Sequence, residues 1–276
     1  MNKYINIKGK LIDLSSPCVM GVINVTPDSF YKKSRVENID EIANRVKSMI
    51  DDGATIIDIG ACSSRPGAVL PSEDVEKERL NDILRTISSY FPDIILSLDT
   101  FRSSIAEWAV QNYNVAIIND ISGGTMDENM FSVISKLKVP YVLMHMRGTP
   151  KNMQTFTNYN NVVNEVIYEL SEKYNRLKTL GINDIIIDPG FGFSKTLEQN
   201  YELLKNLHYF RIFDEPILVG LSRKSMIYKL LNITPDDALC GTTALNIVAL
   251  EKGTNILRVH DVKEAVQVIK IWKQLK

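Results

Sequence analysis

Polar and charged residues stand where apolar runs stop. Asn24 ends CVMGVIN, Asp99 ends IILSLD, Asn119-Asp120 ends AIIND, and Asp188 lies near the end of DIIIDPG. His145-Met146-Arg147 closes YVLMHM, Ser222-Arg223-Lys224 closes ILVGLS, Arg258-Val259-His260 ends ILRVHD, and Ser64-Arg65 follows TIIDIGA. A buried parallel strand needs apolar residues on both faces but no charge at its end. Brought together, Asp99, Asn119 and Asp188 offer directed acceptors and donors for a flat ring such as an amino-pyrimidinone. Ser222-Arg223-Lys224-Ser225 with Arg258 and His260 suit an anion, and their number fits a diphosphate better than one carboxylate. Arg258 and His260 alternate with Leu257 and Val259, so both point to one face, where an unpaired charge would be costly. The bland alternatives are helix capping for any one Asp (Asp99 for the helix near residue 102) and surface ion pairs for the cations.

Two connections are long. Residues 25–37 carry the turn Pro27-Asp28-Ser29 with Phe30, and residues 62–72 carry Ser63-Ser64-Arg65-Pro66-Gly67. Long loops at the active end of a barrel often act as lids. Two hydroxyls and a guanidinium on a rigid turn suit anion capture. No H-E-x-x-H, paired C-x-x-C, G-x-S-x-G or G-x-x-x-x-G-K-[ST] occurs. Gly123-Gly124 reads as a turn, and His145 as a structural histidine rather than a metal ligand.

The elements that must position these groups alternate. Each of eight apolar runs precedes a stretch of helical spacing, as in Ile39, Ile42, Ala43, Val46, Met49 and Ile50, or Val75, Leu80, Ile83, Leu84 and Ile87. The longest helix is expected over 159–180, with Gly181 at its C-cap. The last is expected from Asp261, with Glu264 completing a capping box. Residues 3–14 alternate around Gly9 and predict a hairpin under the barrel. Eight β-then-α units without G-x-G-x-x-G after the first strand favour a closed (β/α)8 TIM barrel over a doubly wound sheet. No linker-like composition interrupts 1–276, so one domain is expected.

The balance of 32 basic and 33 acidic residues gives a net charge of -1, which argues against a nucleic-acid or anionic-membrane partner. No run reaches the roughly 20 apolar residues of a membrane span, and the N-terminus alternates rather than forming a signal core. Cys18, Cys62 and Cys240 have no metal-type spacing and read as buried or semi-buried free thiols, which suits a reducing cytoplasm.

In order, GVINVTPDSF, SSRPG, SLDT, IINDISGG, IIDPGFGF, LVGLSRKS and LRVHDV resemble the dihydropteroate synthase family of pterin-binding barrels, over about residues 18–275. The resemblance implies a folate-pathway enzyme that joins 6-hydroxymethyl-7,8-dihydropterin diphosphate to p-aminobenzoate. It implies that Asp99, Asn119, Asp188 and Lys224 hold the pterin over a floor of Ile121, Met144 and Phe193. Asn24 would sit by a Mg2+-diphosphate, with Arg65, Arg258 and His260 at its oxygens. Phe30, Ser64, Pro66, Phe193 and Ser222 would surround p-aminobenzoate. Lys224, Arg258, His260 and Arg65 become the catalytic positions, and a homodimer through helices near the seventh and eighth strands is implied. Lys32-Lys33-Ser34 stands where many members carry Asp-Gly-Gly, and Ser64 where many carry Thr. Other expectations the residues leave open are a methyltetrahydrofolate-corrinoid methyltransferase, an inactive pterin-binding barrel, and an aldolase using Lys224.

Overall fold

A computed structural model describes residues 3–25, 35–63, 67 and 69–275, with backbone alone at 35–38. The first two strands, β1 (Tyr4–Ile7) and β2 (Lys10–Asp13), form the expected hairpin. Lys8 and Gly9, both at positive φ, make its two-residue turn. Then follow β3 (Cys18–Asn24), α1 (Arg35–Asp51), β4 (Ile56–Gly60), α2 (Glu73–Tyr90), β5 (Ile95–Asp99) and α3 (Ser103–Asn112). Next come β6 (Val115–Asp120), α4 (Met130–Leu137), β7 (Tyr141–Met144), α5 (Val162–Thr179), β8 (Ile185–Asp188) and α6 (Leu197–Lys205). The chain ends with β9 (Leu218–Val219), α7 (Ser225–Leu231), α8 (Leu239–Glu251), β10 (Ile256–Val259) and α9 (Val262–Lys273).

β3 to β10 are parallel, in the order β8-β7-β6-β5-β4-β3-β10-β9. Ile187 N–H donates to Pro216 O at 2.8 Å and Ile187 bridges to Ile217, which closes the ring. Asn255 ties the seam to the hairpin: its Oδ1 accepts from Ile217 N–H at 3.0 Å and its Nδ2 donates to Leu14 O at 2.8 Å.

The strands pack in two directions. Outward residues such as Ile57, Ile59, Leu98, Ile118 and Leu143 join the helices in one large buried core. Inward, Met20, Ile56, Ile95, Ile117, Val142, Ile186, Leu218 and Ile256 give one residue per strand and plug the lower barrel, with Ile5, Ile7 and Leu14 of the hairpin beneath. No described helix is long and apolar enough to cross a membrane.

Several local expectations change. α1 begins at Arg35, inside the connection expected to run to 37. α5 begins at Val162, not 159, because the Asn161 side chain accepts from Asn164 N–H at 2.9 Å and ends the preceding extended chain. At 18 residues α5 only equals α2 in length. Asp261 does precede α9, but no side-chain cap forms there: its carboxylate holds Arg223 at 2.9 and 2.7 Å instead. Cys240 is exposed rather than buried.

Candidate active site

A strand turns successive side chains to opposite faces, so each step of two residues climbs the same inner wall. Two residues above the apolar plug stand Val22, Asp58, Ser97, Asn119, Met144, Asp188, Gly220 and Arg258. Two residues higher on the same wall are Asn24, Gly60, Asp99, Ile121, Ser222 and His260. Of the expected site residues that the structure describes, all but Phe193 and Lys224 thus lie on one of two rungs at the C-terminal mouth.

Asp58 is the hub, and it is the residue the sequence reading missed. It is fully buried. Its Oδ1 accepts from Ser97 Oγ at 2.6 Å, and its Oδ2 accepts from Asn119 Nδ2 at 2.9 Å and Arg258 Nε at 2.7 Å. The second arm of Arg258 reaches Asp99 Oδ2 at 2.7 Å. Arg258 therefore points inward as expected, held between two carboxylates. Burial works against its charge, but Asp58 and Asp99 outweigh that and raise its pKa. Asp99 does not cap α3, whose first turn is instead met by Asp127 Oδ2 accepting from Ser103 N–H at 2.7 Å. Burial pushes the Asp99 carboxyl up to about 7 even though Arg258 opposes it.

Across the mouth, Asp188 Oδ1 accepts from Gly190 N–H at 2.7 Å, which bends the chain into the turn after β8. Burial raises the Asp188 pKa against the pull of Lys224. The Lys224 ammonium donates to Phe191 O and lies 4.7 Å from the centre of the Phe193 ring. Burial draws it down to about 8, with Asp188 opposing. Gly192, at φ +83°, lets the Lys224 chain pass where a Cβ would stand 3.1 Å from its Cδ. Ile121, Met144 and Phe193 form an apolar floor with Phe101, Met146 and Met153.

Ser222 and His260 pair at the rim. Ser222 Oγ accepts from His260 N–H at 3.2 Å and meets His260 Nδ1 at 3.0 Å. Burial, helped by Arg258, holds the His260 pKa down to about 4, so it is a neutral donor rather than a cation. Arg223 is drawn off to Asp261 and to Pro235 O at 3.2 Å, away from the anion set. Asn24 is exposed at the end of β3, in register with Gly60 and, through it, Asp99. His145 is buried and fully hydrogen-bonded, as expected of a structural histidine. Phe30, Ser64, Arg65 and Pro66 lie outside the described residues.

The model of the family described as "Pterin binding enzyme" matches residues 20–260. The dihydropteroate synthase of Haemophilus influenzae is 38% identical over 275 residues, covering 99% of this chain and 98% of that one. That of Escherichia coli is 39% identical over 266 residues, covering 96% and 93%. Among solved structures, a Yersinia pestis dihydropteroate synthase with a sulfonamide drug superposes with a TM-score of 0.91 at 37% identity, covering 99% and 98%. A Xanthomonas albilineans dihydropteroate synthase with 4-aminobenzoic acid gives 0.89 at 31%, covering 100% and 98%. With that agreement along its whole length, the chain belongs to the pterin-binding enzyme family, among the dihydropteroate synthases.

Proposed function

We propose that this chain joins 6-hydroxymethyl-7,8-dihydropterin diphosphate to p-aminobenzoate, giving 7,8-dihydropteroate and diphosphate. The observation that carries this reading is the convergence of Asp99, Asn119, Asp188, Lys224 and Arg258 at one mouth, beside the apolar side chains of Ile121, Met144 and Phe193. Asp58, facing a guanidinium, acts as an acceptor, so it sets which way round the Asn119 amide lies. The Asn119 Oδ1 is then left for a ring N–H, and Asp188 accepts from the other donors of the pterin edge. Phe193 and the apolar floor take the flat faces.

In the reaction the methylene C–O bond to diphosphate breaks, and the cation spreads into the electron-rich ring. The neutral aniline nitrogen forms the new C–N bond and releases a proton. No covalent nucleophile or strong base is required, so catalysis is positioning and electrostatics in a dry site. Lys224, Arg258 and the neutral His260 are the described groups assigned to the departing charge, and Arg65 would join them. Ser222 and Phe193 are assigned to the p-aminobenzoate, which Phe30, Ser64 and Pro66 would complete.

Mg2+ is proposed at the same mouth, supported by the hard amide oxygen that Asn24 offers at the exposed end of β3. The ion would draw mainly on diphosphate oxygens and water, as Mg2+ usually does, and would neutralise leaving-group charge when bound. A corrinoid methyltransferase would need the ring clamp but not this anion set.

A homodimer is proposed through α7, α8 and α9. α8 carries apolar residues all round, and Leu230, Leu231, Val248 and Ile271 are exposed large hydrophobics on these helices. A helix of that kind wants both sides covered. Incubating the purified chain with pterin diphosphate, p-aminobenzoate and Mg2+ tests the reaction. Dihydropteroate and diphosphate in equal amounts are expected, and their absence would overturn it.

A further inference from the structure

Between the site floor and the helix layer lies a buried ionisable chain that the reaction above does not use. Lys195, 3% exposed, follows the turn after β8. Its Nζ meets Gly190 O, Phe193 O and His145 Nδ1, each at 3.0 Å. An ammonium has three N–H donors and no acceptor, so these partners satisfy it completely. His145 accepts on Nδ1, so its proton is on Nε2, which donates to Glu169 Oε2 at 3.0 Å. Burial, aided by Lys195, keeps that imidazole neutral. Glu169 Oε1 in turn accepts from Arg147 Nε at 2.8 Å.

The segment held this way is the one that faces Lys224. Phe191 O accepts from the Lys224 ammonium, and Phe193 lies beneath it. The turn also rests directly on β7: Gly190 is at φ +73°, and any Cβ there would run into His145 O. Two of the three Lys195 acceptors, Gly190 O and Phe193 O, bracket Phe191. Without the ammonium, Phe193 O would lose its donor in a buried place and Gly190 O would keep only the 3.2 Å bond from Phe193 N–H, so the turn would have to move to find new donors.

We propose that Lys195 is a positioning residue for the pterin site: it pins the 190–194 turn to His145 and thereby sets where Phe191 O and Phe193 hold Lys224. This rests on the pterin reading of the mouth. The link to His145 Nδ1 is the part that matters, and the link from Nε2 to Glu169 is secondary.

Two conservative variants separate the links. His145→Asn puts an amide oxygen near the Nδ1 position and gives up the Glu169 partner. His145→Gln keeps a donor near Nε2 and gives up the acceptor for Lys195. Titration with pterin diphosphate and Mg2+ should show Lys195→Met weakened about tenfold and His145→Gln about fivefold, the scale of one or two lost hydrogen bonds, with His145→Asn within about twofold of wild type. In steady state the KM for p-aminobenzoate should rise less than the KM for pterin diphosphate in Lys195→Met and His145→Gln, since Phe193 is the one residue of its pocket that the turn carries. Pterin affinities within about twofold of wild type for both Lys195→Met and His145→Gln, with only melting temperatures lowered, would reduce Lys195 to a fold residue and overturn the proposal. So would His145→Asn weakened as much as His145→Gln. If Lys195→Met does not fold, the two His145 variants decide alone. No binding by the wild-type chain would remove the functional reading along with this one, whereas wild-type binding with the pattern reversed removes only this one.

Discussion

The lower and upper halves of the barrel interior are built by the same strands and differ by one step of two residues. Below, Met20, Ile56, Ile117, Val142, Ile186, Leu218 and Ile256 close over the hairpin with no polar group among them. Above, Asp58, Ser97, Asn119, Asp188 and Arg258 occupy the equivalent inward positions. The step is roughly 7 Å along a strand. Burying the lower set stabilises the fold directly. Burying the upper set is tolerated only because each charge finds a partner, above all at Asp58. Fold and chemistry are thus stacked in one barrel, and each can be broken without the other except at the Asp58–Arg258 pair.

Asp58→Ala should therefore produce the largest loss, because it strips an acceptor from Ser97, Asn119 and Arg258 together. Breaking a buried ion pair costs about 3–5 kcal/mol. Urea unfolding should show a loss of that size, together with loss of pterin binding. A stable variant that still binds pterin would remove Asp58 from the centre of the site.

One step down, Ile186→Ala should open a cavity worth about 3 kcal/mol of stability. Turnover per folded molecule at 25 °C should stay within about twofold, since the plug touches no substrate. A fall in turnover without a fall in melting temperature would show that the two layers are not separable.

Arg258→Ala should act on ligand discrimination. It should weaken pterin diphosphate far more than the free hydroxymethyl pterin, by about 1.5–3 kcal/mol for a charge-assisted contact. Calorimetry with both ligands measures it, and equal weakening would place Arg258 in ring recognition or in holding Asp58 and Asp99 alone.

Much of this architecture was legible in the chain. Parallel strands buried on both faces read as unbroken apolar runs, and the polar groups at their ends mark the mouth. Asp58 escaped notice because it lies inside a run, between Ile57 and Ile59, not at its end. Counting back two residues along the inner wall from Gly60, the partner of Asp99, leads to it. Lys195 was equally hidden, since its acceptors are backbone carbonyls and a histidine 50 residues away. The Asp261 cap failed for the same reason: local spacing favoured a capping box, but the carboxylate was taken by Arg223, 38 residues distant. Short-range rules locate elements well and lose to long-range ion pairs.

The smallest effect expected is on pH dependence. Burial first, and Lys195 second, hold the His145 pKa down to about 3, whereas an unfolded imidazole titrates near 6.5. Below about 6.5 the unfolded chain takes up a proton that the folded one refuses, so this residue's contribution falls as pH drops toward 3. His145→Asn should flatten the decline in melting temperature between pH 6.5 and 5 relative to wild type. An unchanged decline would mean that other groups control it.

The two-layer account is tested most directly by titrating Asp188→Asn and Ile186→Ala side by side with pterin diphosphate and Mg2+ in a calorimeter. Asn keeps the oxygen that accepts from Gly190 N–H, so the turn should survive, but it turns an N–H toward ring donors that need an acceptor. The account predicts at least about tenfold weaker binding for Asp188→Asn at an unchanged melting temperature, and wild-type affinity for the less stable Ile186→Ala. Wild-type pterin affinity in Asp188→Asn would contradict it.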